Sequence, residues 1–308
     1  MSLPQLLGRE GEAFTDTMIK GMQLVSRQVR PGDLFLALPG EQHDGRQFIE
    51  QAVANGAAAV VAEAPVAGFL EAIAVPLIEL PDLRFEAGLL AARFYGNPSH
   101  SMHVLGITGT NGKTTTSRIV AQLTRTLGKP CGVIGTLGAT LEDGITVASN
   151  TTPDALSLQR QLAEWFEQDV LAVSMEVSSH ALEQGRVNGV AFETAIYTNL
   201  SHDHLDYHGS MAAYGRAKQR LFSVEGLRHA VINMDDRFGR SITAAVAGDV
   251  QVLTYSASGA AADVRVENAQ FYSDGVRGDL HTPWGDATFF SPLPGDFNLA
   301  NLAASVTA

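Results

Sequence analysis

The chain has 308 residues, 45% of them hydrophobic, which suits about two domains of ~150 residues each with real cores. Its 21 basic against 33 acidic residues leave a net charge of −12. That excludes a nucleic-acid partner held by a general basic surface, though not a nucleotide, whose site needs only local positive charge.

A single cysteine, Cys131, excludes an internal disulfide and points to a reducing compartment. The segment Met1–Glu10 lacks the apolar core of a signal peptide, and no stretch approaches the ~18 apolar residues of a membrane helix. A soluble cytoplasmic monomer without a membrane partner is expected.

In chain order, the turn Pro31-Gly32-Asp33 leads into a strand over Leu34–Leu38. A helix over Arg46–Asn55 closes at Gly56, and strands follow at Ala57–Ala62 and Pro76–Leu80. Asp82–Tyr95 reads as a helix with Asp82 as its N-cap, broken by Gly96-Asn97-Pro98-Ser99. A second series starts with the apolar run Val104–Ile107, followed by helical spacing over Thr115–Leu127 that stops at Gly128-Lys129-Pro130. Strands are expected at Cys131–Ile134, at Val170–Met175 ending on Glu176, at Thr194–Tyr197 and at Ala230–Asn233, with helices over Asp154–Phe166 and Met211–Phe222. Residues 248 to 292, rich in Val, Thr, Gly and aromatics, read as short antiparallel strands.

The fold class is therefore α/β. A small α/β domain over residues 1–88 precedes a P-loop ATPase-type domain over residues 89–308, with a mostly parallel sheet and a small antiparallel portion. Pro294-Gly295-Asp296 opens a last helical pattern with Leu299, Leu302, Ala303 and Val306 on one face. That pattern still runs at Ala308, so a longer parent chain is expected.

The segment Gly109-Thr-Asn-Gly-Lys-Thr-Thr-Thr116, between a strand and a helix, has the context of a phosphate-binding loop. Glycines let backbone N–H groups close around phosphate oxygens, and the helix N-terminus adds its positive dipole end. Lys113 would reach the β- and γ-phosphates and Thr114 would offer its hydroxyl to Mg²⁺. The strict consensus wants a glycine where Ile107 stands, so the match is to a variant loop. A glycine-rich turn with a surface lysine is the plainer alternative.

Glu176 ends an apolar strand, where a carboxylate can hold Mg²⁺ opposite the loop; a solvent-facing strand end is its alternative. The run Asn199-Leu-Ser-His-Asp-His-Leu-Asp-Tyr-His208 is dense in His and Asp. The spacing His202-x-His204-x-Asp206 invites a binuclear zinc hydrolase, but Tyr207 intervenes before His208 and the P-loop would go unexplained. Lys218, viewed alone, is a surface lysine.

Further motifs follow in order: Asn150-Thr-Thr-Pro-Asp154, Met175-Glu-Val-Ser-Ser-His180, Asp203-His-Leu-Asp-Tyr-His208, Ala217-Lys-Gln-Arg-Leu-Phe222 and Gly295-Asp-Phe-Asn-Leu-Ala-Asn301. With the phosphate loop they occur in the order seen in Mur ligases. Ser26-Arg27, Pro31-Gly-Asp-Leu-Phe35 and Gly40-Glu-Gln-His-Asp-Gly-Arg46 extend the resemblance over essentially the whole chain. It is strongest to the branch that adds the third residue of the peptidoglycan precursor's peptide.

The resemblance implies an ATP-dependent amide ligase with Mg²⁺. Its substrates would be ATP, UDP-MurNAc-L-Ala-D-Glu and an amino acid, meso-diaminopimelate before L-lysine, and the reaction would pass through an acyl phosphate. It also implies roles for residues: Lys113 on phosphate; Thr114 and Glu176 on a first Mg²⁺; His204 and a carbamylated Lys218 on a second. Gly109, Thr110, Asn111, Gly112, Lys113, Thr114, Thr115 and Asn301 would bind ATP. Leu24, Ser26, Glu41, Gln42, His43, Asn150, Thr151, Thr152, Ser178, Gln184 and Arg186 would bind the UDP-sugar peptide, Arg186 pairing with a substrate carboxylate. Family members carry a third domain with an Asp-Asn-Pro-Arg motif that these residues lack, so this chain alone is expected to bind the UDP substrate, bind ATP partially and not turn over. Another Mur- or folate-type ligase and a non-catalytic P-loop module are the alternatives.

Overall fold

The structure, a computed structural model, describes residues 1–8, 17–40, 43–66, 73–141 and 150–308. The chain divides into two compact units: Met1–Pro98 with Asp154–Ala163 and Gln184–Val190, and Ser99–Pro153 with Glu164–Glu183 and Ala191–Ala308. Among the described residues, no helix is long and apolar enough to cross a membrane.

In the first unit, α1 (Leu3–Leu7), α2 (Ile49–Ala54) and α3 (Leu83–Phe94) accompany four strands: β1 (Gly21–Gln23), β2 (Asp33–Ala37), β3 (Ala59–Glu63) and β4 (Leu77–Leu80). The strands pair in parallel in the order β1-β2-β3-β4. A strand's period of two assigns its faces. Leu34, Leu36, Ala59 and Val61 join a core with α1 and α3. Phe35, Ala37, Val60 and Ala62 pack with Ile49 and Ala52 of α2. Both faces are covered, which is why β2 and β3 read as nearly unbroken apolar runs.

The second unit holds β5 (His103–Thr108), α4 (Lys113–Thr126), β6 (Cys131–Gly135), β7 (Gly138–Thr140), the end of α5 (Ala155–Phe166), β8 (Ala172–Glu176), α6 (Ser179–Glu183), β9 (Thr194–Tyr197), α7 (Leu205–His208) and α8 (Met211–Gln219). It continues through β10 (His229–Asn233), α9 (Arg237–Thr243), β11 (Gln251–Ser256), β12 (Val264–Tyr272), β13 (Gly275–Thr282), β14 (Gly285–Ser291) and α10 (Asp296–Thr307). Its ten-stranded sheet runs β14-β13-β12-β11-β10-β9-β5-β8-β6-β7. The strands from β11 to β6 are parallel, with antiparallel margins at β7 and β12–β14.

Strand β5 lies between β8 and β9, so chain connections leave in opposite directions on its two sides. Such a switch point opens a crevice beyond the carboxyl ends of the strands. On one face Ile107, Val120, Ile196, Val231, Leu299 and Ala303 form a shared core, which places α4 and α10 side by side over the sheet.

The mixed α/β class holds, with several local corrections. Strand β11 is parallel to both β10 and β12 rather than antiparallel; helix α9 carries the chain back across the sheet, which makes β10–α9–β11 a parallel crossover. Asp82 precedes α3 but does not cap it with its side chain: its φ is 55°, and its backbone N–H donates to Glu63 Oε1 at 2.8 Å. The expected helix over Arg46–Asn55 opens as a 3-10 turn over Gly45–Phe48, because the Asp44 carboxylate takes the Arg46 N–H and tightens the entry. Helix α8 stops at Gln219 and continues as a 3-10 turn over Arg220–Ser223. Helix α4 starts at Lys113, two residues before the expected start, with Gly112 supplying a left-handed entry.

Candidate functional site

The loop from β5 to α4 depends on two glycines. Gly109 has φ +150°, and a Cβ on it would fall 1.8 Å from Thr198 Oγ1. Gly112 has φ +88°, and a Cβ there would sit 2.3 Å from Asn301 Oδ1. Side chains after β9 hold the loop from outside: Asn111 N–H donates to Asn199 Oδ1 at 3.0 Å, and the Thr198 hydroxyl donates to Asn111 O at 2.7 Å. Thr110 is buried, with its hydroxyl 3.2 Å from the Tyr214 hydroxyl.

Two lysine head groups converge on one carbonyl. Lys113 Nζ donates to Gly109 O at 3.0 Å and to Thr110 O at 2.8 Å. Lys218 Nζ, from α8, donates to Gly109 O at 2.8 Å. Lys218 is 1% exposed, with its ammonium 4.1 Å from the centre of the Tyr214 ring. It is no surface lysine. Burial pulls its pKa down to about 6; the nearby charge of Lys113 acts in the same direction and Asp203 opposes. Lys113 is also lowered by burial, against the opposing pull of Glu176 and Asp203. A pocket that strips water from two cations and answers them with neutral carbonyl dipoles suits a polyanion.

Glu176 lies at the carboxyl end of β8 and is 1% exposed, which rules out the solvent-facing alternative. Its Oε1 accepts from the Thr136 N–H at 2.9 Å and its Oε2 from the Thr136 hydroxyl at 3.1 Å. Gly135 is required beneath it, since a Cβ there would come within 2.1 Å of Oε1. Thr114, the second residue of α4, is half-buried, as is Thr115. Asn301 is buried in α10; its Oδ1 accepts from the Thr116 hydroxyl at 3.4 Å, and its amide donates to Asn298 Oδ1.

The carboxylate of Glu176 and the hydroxyl of Thr114 are hard oxygen donors that fit Mg²⁺. Among the described residues no group of three or more His, Cys, Asp and Glu is arranged to hold a metal. A Mg²⁺ ion here would complete its shell from phosphate oxygens and water, its usual habit.

His204 follows β9 with φ 50° and a half-exposed ring. That ring stands 4.8 Å from His180 and 6.1 Å from Tyr214 between centres, with Asp203 Oδ2 3.5 Å from its Nε2. His208 closes the cluster, its Nε2 2.9 Å from Ser179 Oγ, and burial lowers its pKa. On the neighbouring loop, the buried Thr152 hydroxyl donates to Glu176 O at 2.9 Å and accepts from the Ser178 N–H at 3.1 Å. The Ser178 hydroxyl accepts from the Ala181 N–H. Thr151 Oγ1 lies 3.1 Å from Thr136 Oγ1, and Asn150 is exposed. The second unit thus gathers Gly109–Thr115, Asn150–Thr152, Glu176, Ser178, His204, Lys218 and Asn301 around the carboxyl ends of its strands.

The remaining candidates lie in the first unit. Ser26 is buried and its hydroxyl donates to Gln51 Oε1 at 2.7 Å. Leu24 packs at the edge of the core shared with α1 and α3. His43 is exposed, its ring edge-on to Phe48. Arg186 donates to Gln184 Oε1. Their loop lies against α3, where Asn188 O occupies the space that a side chain on Gly88 would need. Glu41 and Gln42 lie outside the described residues.

Three contributors escaped the sequence reading. Thr136 holds both oxygens of Glu176; its signal is a hydroxyl residue directly after β6, where ligand groups gather. Tyr214 faces Lys218 from one helical turn earlier, an i, i+4 relation that the spacing contains. Asp203 is the acidic neighbour of both lysines, hidden among several similar carboxylates.

Residues 107–308 match the family description "Mur ligase middle domain", and residues 18–95 match "Mur ligase family, catalytic domain". A UDP-N-acetylmuramoyl-L-alanyl-D-glutamate–2,6-diaminopimelate ligase of Ectopseudomonas mendocina is 48% identical over 308 residues, covering 100% of this chain and 62% of the relative. The enzyme of that name from Coxiella burnetii is 45% identical, over 98% of this chain and 63% of the relative. A solved structure of a ligase with that name superposes with a TM-score of 0.89 at 36% identity, covering 99% of this chain and 62% of that one. The MurF ligase of Thermotoga maritima, solved with ADP, is similar in fold alone, with a TM-score of 0.67 at 20% identity over 95% of this chain and 63% of that one. The chain spans about 62% of the length of the first of these curated relatives.

Proposed function

Because this chain belongs to the Mur ligase family, we propose that it serves ATP-dependent amide-bond formation in peptidoglycan precursor synthesis, joining 2,6-diaminopimelate to the D-Glu carboxylate of UDP-MurNAc-L-Ala-D-Glu. The observation that carries the reading is the convergence of Lys113 and Lys218 on Gly109 O beside the buried Glu176. The names of the similar enzymes support the choice of substrates.

A carboxylate is a poor electrophile, and bound MgATP supplies the phosphoryl group that makes it an acyl phosphate while offsetting the crowded negative charge. The chain's own residues would orient and neutralise. Lys113 releases its two carbonyl partners and turns to phosphate oxygens. Gly109–Thr115 are assigned to ATP; the Thr110 and Asn111 N–H groups already donate to Asn199, so those from Gly112 onward are the ones offered to phosphate, and Asn301 is assigned to the adenine. Thr114 and Glu176 offer oxygen donors for one Mg²⁺, with Thr136 fixing the carboxylate. Leu24, Ser26, Glu41, Gln42 and His43 in the first unit are assigned to the uridine end. Asn150, Thr151, Thr152, Ser178, Gln184 and Arg186 are assigned to the sugar peptide, Arg186 pairing with a carboxylate.

Lys218 is assigned a carbamate. With its pKa near 6, its amine is mostly neutral at pH 7.5. The nitrogen lone pair attacks CO₂, one N–C bond forms and one proton leaves. The product carries negative charge where an ammonium would repel a metal, and with His204 it would hold a second Mg²⁺. Mass spectrometry or ¹³C NMR under labelled bicarbonate should show one carbamate that is absent from Lys218→Met.

Titration with a non-hydrolysable ATP analogue tests the nucleotide end. Binding should require Mg²⁺ and weaken by about tenfold or more in Lys113→Ala. Unchanged affinity in that variant would remove the nucleotide from this loop.

A further inference from the structure

The segment that follows β9, residues 198–201, grips the first half of the phosphate loop. The Thr198 hydroxyl donates to Asn111 O at 2.7 Å. Asn199 accepts the Thr110 N–H on its carbonyl and the Asn111 N–H on its side chain. The Ser201 N–H donates to Thr110 Oγ1 at 3.0 Å. Such a grip is only as firm as the segment that makes it. We propose that Asp236, at the turn from β10 into α9, is a positioning residue that fixes this segment and so holds the phosphate loop in shape before a nucleotide arrives.

The case starts from one carboxylate that serves four donors. Asp236 Oδ1 accepts from the Phe238 and Gly239 N–H groups at 2.8 and 3.0 Å, which caps α9, and from the Tyr197 hydroxyl at 2.7 Å. Its Oδ2 accepts from the Leu200 N–H at 3.1 Å. A cap needs one side-chain oxygen. Here the second oxygen reaches past the helix to the segment that holds the loop, and bonds to a charged acceptor are stronger than neutral ones.

Packing explains how α9 comes so near. A Cβ on Gly239 would fall 2.2 Å from Asn233 O and 3.2 Å from the Tyr197 ring, so the close approach needs glycine there. Asn233, the last residue of β10, is buried and donates to Thr198 O at 2.7 Å. Tyr255 of β11 donates to Tyr197 O at 3.0 Å. Beyond Thr198, the bond from the Leu200 N–H to Asp236 ties the segment to the β10–α9 turn. All these residues belong to the second unit.

A loop already held in its binding shape has little ordering left to lose when a ligand arrives. If loosening the segment leaves the loop competent about a tenth of the time, apparent affinity falls about tenfold. That consequence for nucleotide rests on the ligase reading above; the hold on the loop does not.

Asp236→Asn separates the two duties. Its carbonyl oxygen can keep the cap and the Tyr197 hydroxyl, while its amide nitrogen meets the Leu200 N–H, donor against donor. Amide hydrogen exchange followed by NMR in the ligand-free protein should quicken by about tenfold or more at Thr110 and Asn111. Exchange at Phe238 and Gly239 and the melting temperature should stay nearly unchanged, which reports an intact cap and fold. Affinity for a non-hydrolysable ATP analogue with Mg²⁺ should fall about tenfold. Tyr197→Phe, which keeps the ring and removes one donor from the carboxylate, should move the same two amides in the same direction. Asp235→Asn is the control: that carboxylate holds Ser256, Ala257 and Ser258 rather than the segment, so neither readout should move. Unchanged exchange at Thr110 and Asn111 in both the Asp236 and the Tyr197 variant, or an equal change in Asp235→Asn, would overturn the proposal. So would faster exchange with nucleotide affinity intact, the mark of a merely structural tie. Faster exchange in a protein whose wild type binds no nucleotide would instead keep the hold and remove the ligase reading.

Discussion

At the scale of single residues, the site works by placing charge where water cannot reach. Lys218 shows the consequence for stability. Its pKa in the folded protein is about 6 against an ordinary 10.5, so between those values the unfolded chain holds a proton that the folded chain has released. Stability therefore rises with pH across that window and is lowest below about pH 6. The slope contributed by this one group is at most about 1.4 kcal/mol per pH unit. Urea unfolding of wild type and Lys218→Met in CO₂-free buffers from pH 6 to 9.5 should show that rise in wild type and its absence in the variant. Parallel profiles would mean that Lys218 is not buried as an amine.

Thr136 offers a second test at this scale. Its hydroxyl fixes one oxygen of Glu176 while its N–H fixes the other. Thr136→Val keeps the backbone donor and the side-chain volume. It should leave the melting temperature nearly unchanged and weaken Mg²⁺-dependent nucleotide binding by about tenfold, the usual effect of losing a partner that orients a ligating group. Nucleotide affinity equal to wild type would show that Glu176 needs no such hold.

At the scale of elements, glycine contacts decide how closely segments approach. Gly88 of α3 lies so close to Asn188 O that a Cβ would stand 2.1 Å away. Gly88→Ala must push the 184–190 loop off the helix. It should cost about 2 kcal/mol and displace Gln184 and Arg186, read as a lower melting temperature together with weaker binding of the UDP-sugar peptide. Loss of stability alone, with substrate affinity intact, would detach those two residues from the substrate. Leu299 of α10 is buried in the core shared with Ile107, Val120 and Ile196. Leu299→Ala should destabilise the second unit by about 2–5 kcal/mol, measured by chemical unfolding.

Elements were legible in the sequence to the degree that they were apolar and regular. Strands β2, β3, β5, β8, β9 and β10 announce themselves as apolar runs because both faces of a parallel sheet are covered. The parallel pairing of β11 was not legible. Its outer residues are only half-buried, and only the crossover through α9 settles its direction. Helix α1 was missed although Ser2 and Gln5 form a reciprocal cap, because five residues are too few to show a period. The phosphate loop and Glu176 follow from the strand-end rule, but the burial of Lys218 does not. Its solvent is excluded by Tyr214 and by a loop more than a hundred residues away in sequence, and no local pattern encodes that.

At the scale of the whole molecule, the candidate residues are distributed over the two units. The second unit collects the phosphate loop, Glu176, His204, Lys218 and Asn301 at its switch point. The first contributes the residues assigned to the uridine end, together with Gln184 and Arg186 from the segment that belongs to it. The proposed ligase chemistry requires that the D-Glu carboxylate be recognised as such.

The most direct test is calorimetric titration of the chain with UDP-MurNAc-L-Ala-D-Glu and with UDP-MurNAc-L-Ala, which lacks the carboxylate to be activated. The account predicts that the dipeptide compound binds about tenfold or more tightly, roughly the worth of one charge-assisted pair, and that Arg186→Ala erases the difference. Equal affinity for the two compounds, or a gap that survives in Arg186→Ala, would contradict it.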